Sequence, residues 1–258
     1  MNSSLDEILD GRRWRLREYP FRHLWAEPVF RRTRYEQMVL ELRQLLAVDG
    51  TDGFQRNMRG YDATGHSFRP GYRGAFEAFL SSEFRDALSR VFDVPVTCDV
   101  NASLHHHEAG AASGQVHNDL NPGWFVARPH PDGVNLADSG RCSYRYGTTP
   151  EPGLETVERV RAVAVLYYLD NGPWFPGRGG ETGLYLDRTT AVTEPTVLVP
   201  PTDNGMLAFE CTPTSFHTYL ASTTQRNSLV LWLHRSKEDA VARWTDREIV
   251  RWARASGR

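Results

Sequence analysis

The 258-residue sequence predicts a mainly β fold, a double-sheet jelly roll with flanking α-helices. Three observations carry that prediction. From Pro95 onward, short apolar runs alternate with turn residues, as strands of an antiparallel double sheet do. Within that region Val160 to Asp170 is almost continuously apolar and reads as a strand buried on both faces. Before Pro95, by contrast, apolar positions recur with a helical period in two stretches.

Taken in order, residues 5 to 32 are rich in arginine and carry Trp14, Tyr19, Phe21, Trp25 and Phe30, a mixture expected to form an arm or short helices covering a surface. Between Tyr35 and Leu46, Met38, Val39, Leu42, Leu45 and Leu46 follow helical spacing, with Asp49-Gly50 as the stop. Gly53 to Gly74 contains several glycines and Arg69-Pro70-Gly71, an irregular connection with room for a short strand. A second helix is expected from Gly74 to Phe92, on Phe76, Phe79, Leu80, Phe84, Leu88 and Val91. Val96 to His107 is the first strand, followed by a turn at Gly110 to Gly114. Asn121 to Glu158 is loaded with Pro, Gly and Asp, and a loop this long in a compact domain is usually functional or disordered. Further strands are expected at Glu181 to Leu186, Met206 to Glu210 and Ser228 to His234, with turns at Asn171 to Gly180 and Pro200 to Gly205. Lys237 to Ala255 closes the chain as an amphipathic helix on Ala240, Val241, Trp244, Ile249 and Trp252. The expected organisation is one domain: residues 1–95 an arm and supporting helices, 96–236 the β core, 237–258 the C-terminal helix.

Thirty basic against thirty-two acidic residues leave the chain nearly neutral without a long charge block, which argues against a nucleic-acid or polyanion surface. Cys98, Cys142 and Cys211 are odd in number and form no C-x-x-C pair, so neither a disulfide framework nor a zinc knuckle is encoded, and a reducing cytoplasm fits. The first residues lack a basic segment followed by an apolar one, and no run of about 18 apolar residues occurs, so no membrane association is expected.

The chemistry concentrates in Gln115-Val116-His117-Asn118-Asp119-Leu120-Asn121-Pro122. His117 and Asp119 are two apart, and on a strand that spacing turns both side chains to one side. A third ligand from a distant segment would complete the two-histidine, one-carboxylate facial set that suits non-heme Fe(II) oxygenases, and His217 in Ser215-Phe216-His217-Thr218-Tyr219 is the candidate. The same His-x-Asp pair could instead be a surface turn with a self-bonded carboxylate. Position favours the site: nine residues after His217 begins Arg226-Asn227-Ser228-Leu229-Val230-Leu231-Trp232-Leu233-His234, an apolar alternating run that opens with a cation and a hydroxyl on one face.

The ordered set His117-x-Asp119, Gly179-Gly180-Glu181-Thr182, His217 and Arg226-x-Ser228 resembles the 2-oxoglutarate and Fe(II)-dependent oxygenases, especially the prolyl 4-hydroxylase-like branch, over roughly residues 97 to 236. The resemblance implies a distorted double-stranded β-helix with surrounding helices. It also implies Fe(II) on His117, Asp119 and His217, with 2-oxoglutarate and O2 as cosubstrates and ascorbate as a candidate reductant. Arg226, assisted by Ser228, would bind the far carboxylate of 2-oxoglutarate, since that charge would otherwise lie unpaired in an apolar barrel. His107 stands where many members carry a tyrosine that contacts the cosubstrate; a cosubstrate contact and an ordinary pocket histidine are both open. Glu181 reads as structural, its carboxylate tying a loop to a neighbour. Relatives that halogenate lack the acid found here as Asp119, so hydroxylation is favoured, with desaturation, epoxidation and ring formation starting from the same hydrogen abstraction.

Trp124, Arg128, Arg141, Arg145 and Trp174 lie on loops that would flank the barrel mouth and are the candidate substrate residues, against the alternative of a solvated face with aromatic anchors. The expected substrate is a small molecule, such as an amino acid derivative or natural-product intermediate. A peptide or protein hydroxylase is the second reading and a non-catalytic metal-bearing barrel the third. Oligomeric state is not encoded.

Overall fold

The computed structural model describes residues 5–10, 14–48, 53–56, 61–127 and 133–252. The chain begins with a short helix α1 (Leu5–Ile8) and two strands, β1 (Trp14–Arg17) and β2 (His23–Ala26), followed by α2 (Arg32–Leu46), β3 (Thr64–Ser67) and α3 (Ser82–Phe92). The β core follows as β4 (Asp99–His107), β5 (Pro122–Val126), β6 (Asn135–Leu136), β7 (Thr156–Tyr168), β8 (Thr182–Tyr185), β9 (Val197–Val199), β10 (Gly205–Glu210), β11 (Phe216–Tyr219) and β12 (Arg226–Ser236), and α4 (Lys237–Trp244) packs at the end.

Two sheets form. The larger has nine strands in the order β1-β2-β10-β7-β12-β4-β3, with β5 added on β7 and β6 on β4; the smaller runs β11-β8-β9. Period-two alternation gives the large sheet two apolar faces. Leu229, Leu231 and Leu233 of β12, Val163, Val165 and Tyr167 of β7 and Ala102 and Leu104 of β4 pack against Met38, Leu42, Phe79, Phe84 and Leu88 of the helical layer. On the other face Ala164, Leu166 and Tyr168 of β7 and Leu207 and Phe209 of β10 meet Leu184 and Val199 of the small sheet. The unbroken apolar run of β7 is thus explained by a strand covered on both sides. Among the described residues no helix is long and apolar enough to cross a membrane.

Several elements differ from expectation. The N-terminal arm is not merely a surface cover: β2 pairs with β10 from Met206↔Ala26 to Phe209↔His23, and Phe30 is only 1 % exposed. Leu24 and Ala26 alternate toward the helix-side core, a two-residue period that arginine-rich composition concealed. The second expected helix is two pieces, a 3-10 turn at Glu77–Leu80 and then α3, because Ser81 takes an extended backbone and its Oγ accepts from the Phe84 amide as a helix cap. Part of the long Asn121–Glu158 segment is strand, since β5 pairs with the first half of β7. The C-terminal helix stops at Trp244, where Thr245 adopts φ 71°. Ile249 and Trp252 therefore lie on a returning segment, whose Val250 amide donates to the Leu120 carbonyl. The expected stop at Asp49-Gly50 lies outside the described residues.

One side chain ties the N-terminal strands to the core. Asn204, at φ 60° in the turn before β10, accepts from the Phe30 amide (3.0 Å) and the Tyr167 hydroxyl (2.9 Å) and donates to the Phe30 carbonyl (2.7 Å). Replacing it with Ala leaves these buried groups unsatisfied and places a Cβ-bearing residue without local polar support in the left-handed region. Asn204→Ala should lower unfolding free energy by about 2–4 kcal/mol, read as a reduced midpoint in denaturant titration with an unchanged slope.

Candidate metal centre

The two histidines are brought together by backbone pairing outside any strand ladder. His117 and His217 form an isolated antiparallel bridge, His217 N donating to His117 O at 2.8 Å and His117 N to His217 O at 3.1 Å. Asp119 then turns back at φ 58°. This corrects the strand-period argument: His117 and Asp119 share a side because a turn delivers the carboxylate, not because both stand on one strand. Asp is among the residues that tolerate left-handed backbone best, so the ligand and the turn residue coincide.

The donor atoms of His117, Asp119 and His217 lie within 4.8 Å of one another. Asp119 Oδ1 is 3.7 Å from His117 Nε2 and Oδ2 is 3.6 Å from His217 Nε2. Each imidazole has its Nδ1 beside a carbonyl oxygen two residues earlier, Gln115 at 2.8 Å and Ser215 at 3.0 Å. A carbonyl can only accept, so Nδ1 carries the proton and both Nε2 lone pairs face the carboxylate. Burial, then the His217 imidazole, pushes the His117 pKa down to about 4, which keeps the ring neutral and ligand-competent. Nearly half of its side chain (47 %) still opens outward, whereas Asp119 and His217 are buried. For Asp119, burial favours protonation, but the Arg161 guanidinium outweighs it and holds the carboxyl well below its usual range. A divalent ion fits this set of two neutral nitrogens and one carboxylate.

At the other end of the same interior, β12 pairs Arg226 with His107 and Ser228 with His105. Arg226 is 2 % exposed; it donates to Ser228 Oγ (3.3 Å) and Thr182 Oγ1 (3.1 Å) and lies over the Tyr168 and Tyr219 rings. No carboxylate pairs with it among the described residues, and its Nε has no hydrogen-bond partner. Its titratable neighbours do not supply an anion either. Burial, then Arg226, lowers His105 to about 3 and His107 to about 2, while burial raises Tyr61 to about 12. A buried guanidinium without a counter-charge is costly, and none of the described residues supplies an anion to offset it. A small open pocket bordered by Arg226, Arg178, Trp174 and Ser222 adjoins this end.

His107 is fully committed. Its Nδ1–H donates to the Asp62 carbonyl (3.0 Å), its Nε2 accepts from the Tyr61 hydroxyl (3.1 Å), and its ring stacks on Tyr219 at 3.8 Å. The strand thus presents a histidine that carries a phenol, Tyr61, from another segment. Glu181 accepts from Trp174 Nε1 (3.2 Å), tying the loop as expected, and its neighbour Thr182 is the motif residue that faces Arg226. Gly179 is required there: at φ 83°, a Cβ would lie 2.2 Å from the Ala221 carbonyl oxygen.

The candidate substrate residues are dispersed. Trp124 sits on β5 and packs on Gly147, Arg141 pairs with Glu151 at 2.8 Å, Arg145 lies over the Trp252 ring, and Trp174 joins Glu181. Arg128 lies outside the described residues. Arg161, unforeseen, contacts the centre directly: it is 5 % exposed and donates to Asp119 Oδ1, while Trp232 Nε1 donates to Oδ2 at 2.7 Å. Its signal was present, an arginine inside the apolar run of β7. Tyr219 was also within reach, two residues after His217 on one strand, but Tyr61 in its glycine-rich connection carried no periodic signal.

No protein-family model matches the sequence, and no curated protein matches it. Solved structures do. A prolyl 4-hydroxylase from Pseudomonas putida superposes with a TM-score of 0.56 at 18 % identity, covering 83 % of this chain and 92 % of that one. One from Phytophthora capsici gives 0.51 at 18 %, covering 84 % and 61 %. A prolyl hydroxylase from Trichoplax adhaerens, solved with a peptide fragment of the oxygen degradation domain of hypoxia inducible factor, gives 0.50 at 20 %, covering 81 % and 80 %. The chain has the jelly-roll fold of the prolyl 4-hydroxylases.

Proposed function

We propose that the chain is a 2-oxoglutarate-dependent Fe(II) hydroxylase. One juxtaposition carries the reading: a His-Asp-His donor set and an uncompensated buried guanidinium share one barrel interior, and a chelating dicarboxylate is the ligand class that would satisfy both. Iron with 2-oxoglutarate and oxygen would supply the oxidising chemistry for an unactivated C–H bond. The chain's residues do the rest. His117, Asp119 and His217 would hold the ion while leaving positions free, and Arg226 with Ser228 and Thr182 would fix the far carboxylate. Leu166, Leu184 and Leu207 belong to the buried apolar cluster between the two sheets.

For the substrate we favour a small molecule. The segment that returns after α4 supports this, since Val250 and Trp252 hydrogen-bond to Leu120, Asn121 and Pro122 and so cover the chain beside the metal loop. The fold likeness to prolyl hydroxylases favours the second reading, a peptide substrate. Fe(II)-loaded protein given 2-oxoglutarate and oxygen should form succinate, and pools of metabolites, amino acids and peptides would separate the two readings by which pool gains one oxygen. Absence of succinate under every condition would refute the hydroxylase reading.

Two predictions follow from the residues. His117→Ala, Asp119→Ala and His217→Ala should each abolish turnover and weaken Fe(II) binding in equilibrium titration; near-native turnover of any one would remove that residue from the ligand set. Arg226→Gln should leave iron binding without cosubstrate nearly unchanged but raise the half-saturating 2-oxoglutarate concentration strongly. Losing one partner of a buried charge pair costs on the order of 2–5 kcal/mol. An unaltered 2-oxoglutarate dependence would contradict the assignment.

A further inference from the structure

Asp119 is the end of a chain of hydrogen bonds whose every direction is fixed. His234 Nδ1 lies 3.0 Å from the Asp99 carbonyl, which can only accept, so Nδ1 carries the proton and Nε2 accepts from the Tyr144 hydroxyl at 2.8 Å. Tyr144 has then spent its proton, and its oxygen accepts from Arg161 Nε at 3.1 Å. The same guanidinium reaches Asp119 Oδ1 through Nη1, while Trp232 Nε1 donates to Oδ2 at 2.7 Å. The Arg161 guanidinium also lies 3.7 Å over the centroid of the Trp232 ring and 5.2 Å from that of Trp252.

The backbone is shaped for this. Opposite β12 the register slips between Leu233 and His234, so that Ala162 and Val163 both join the helix-side core and Arg161 pairs with His234. A bulge is a device for re-aiming a side chain, and here it turns a guanidinium inward. Gly123 makes room for the phenol: a Cβ there would stand 2.4 Å from the Tyr144 ring. Stability alone does not account for these features, because a buried ion pair replaced by apolar residues of similar volume is often as stable or more so.

We propose that Arg161 is a positioning residue that acts through Asp119, fixing the plane of its carboxylate so that it meets the metal in one orientation, with Tyr144 and Trp232 as the supports of that geometry. The proposal rests on the metal-binding reading above. Groups of this kind change metal affinity by about 10- to 100-fold when removed. Charge must be kept constant in the test, since deleting a cation beside a divalent ion would strengthen binding by Coulomb's law and mask the effect.

Co(II) titration of the full chain, followed by its ligand-field absorption, is the experiment, with Arg161→Lys and Tyr144→Phe as charge-conserving variants. Lysine keeps the charge but cannot present the planar fork; Tyr144→Phe leaves Arg161 and Asp119 in place and removes only the orienting hydroxyl. Arg161→Lys should bind Co(II) about 10- to 100-fold more weakly, with shifted bands, and Tyr144→Phe should shift the bands in the same direction with a smaller loss. If Arg161→Lys does not fold, Tyr144→Phe decides. Native affinity and native bands in either folded variant overturn the proposal, because a purely structural role would change melting without changing the spectrum. Wild-type protein that shows no Co(II) bands overturns the metal reading and this proposal with it, whereas wild-type bands with unaltered variants overturn this proposal alone.

Discussion

The pairing of β12 on both of its edges is the constraint from which the rest of the site descends. With β4 on one side and β7 on the other, its register admits no one-residue slip, since a slip would send Leu229, Leu231 and Leu233 into the polar interior and Arg226, Ser228 and Trp232 into the helix-side core. The apolar face thus specifies the polar one. Both ends of the site depend on it, because Arg226 faces the anion pocket while Trp232, six residues on, bonds to Asp119.

The buried charges of Arg161, Asp119 and Arg226 are unevenly matched. Arg161 and Asp119 neutralise one another, so the carboxylate stays ionised in a place where burial alone would protonate it. Arg226 has no such partner among the described residues, and the histidines nearest to it are held neutral. The His-Asp-His end therefore has its anion already in place. The far end instead presents a cation without a counter-charge among the described residues, an arrangement that costs stability in the free protein and that the proposed dicarboxylate would relieve.

The parts of the molecule legible in the sequence are those governed by periodicity. β7, β10 and β12 follow from apolar runs, whereas His217, Arg226 and Ser228 stood out by their place beside such runs and took their expected roles from the family resemblance. What was hidden obeys no period. The orientation of Asp119 comes from a left-handed turn, that of Arg161 from a bulge, and the break before α3 from one serine cap inside an apolar rhythm that continues across it. The N-terminal strands were masked because four-residue elements with a polar face resemble an arm when read without their partner, β10. Tyr61 is reached only through tertiary packing, since nothing local marks a phenol that meets His107 from a loop 46 residues away.

The two irregular backbone positions at the metal centre have a common logic. A regular strand would carry His117 and Asp119 side by side but would leave each free to follow the twist of its sheet. Here His117 is pinned to His217 by a two-bond bridge, and Asp119 is held by a turn on one side and by Arg161 and Trp232 on the other. Each candidate ligand is fixed by a different element: a long-range backbone bridge, a left-handed turn, and the strand β11 that carries His217. Because those elements belong to separate parts of the chain, donor geometry depends on the tertiary fold being complete rather than on any local motif. The His-x-Asp pair in the sequence is consequently a weak signal by itself, and becomes a centre only where β11, β12 and the bulged β7 converge on it.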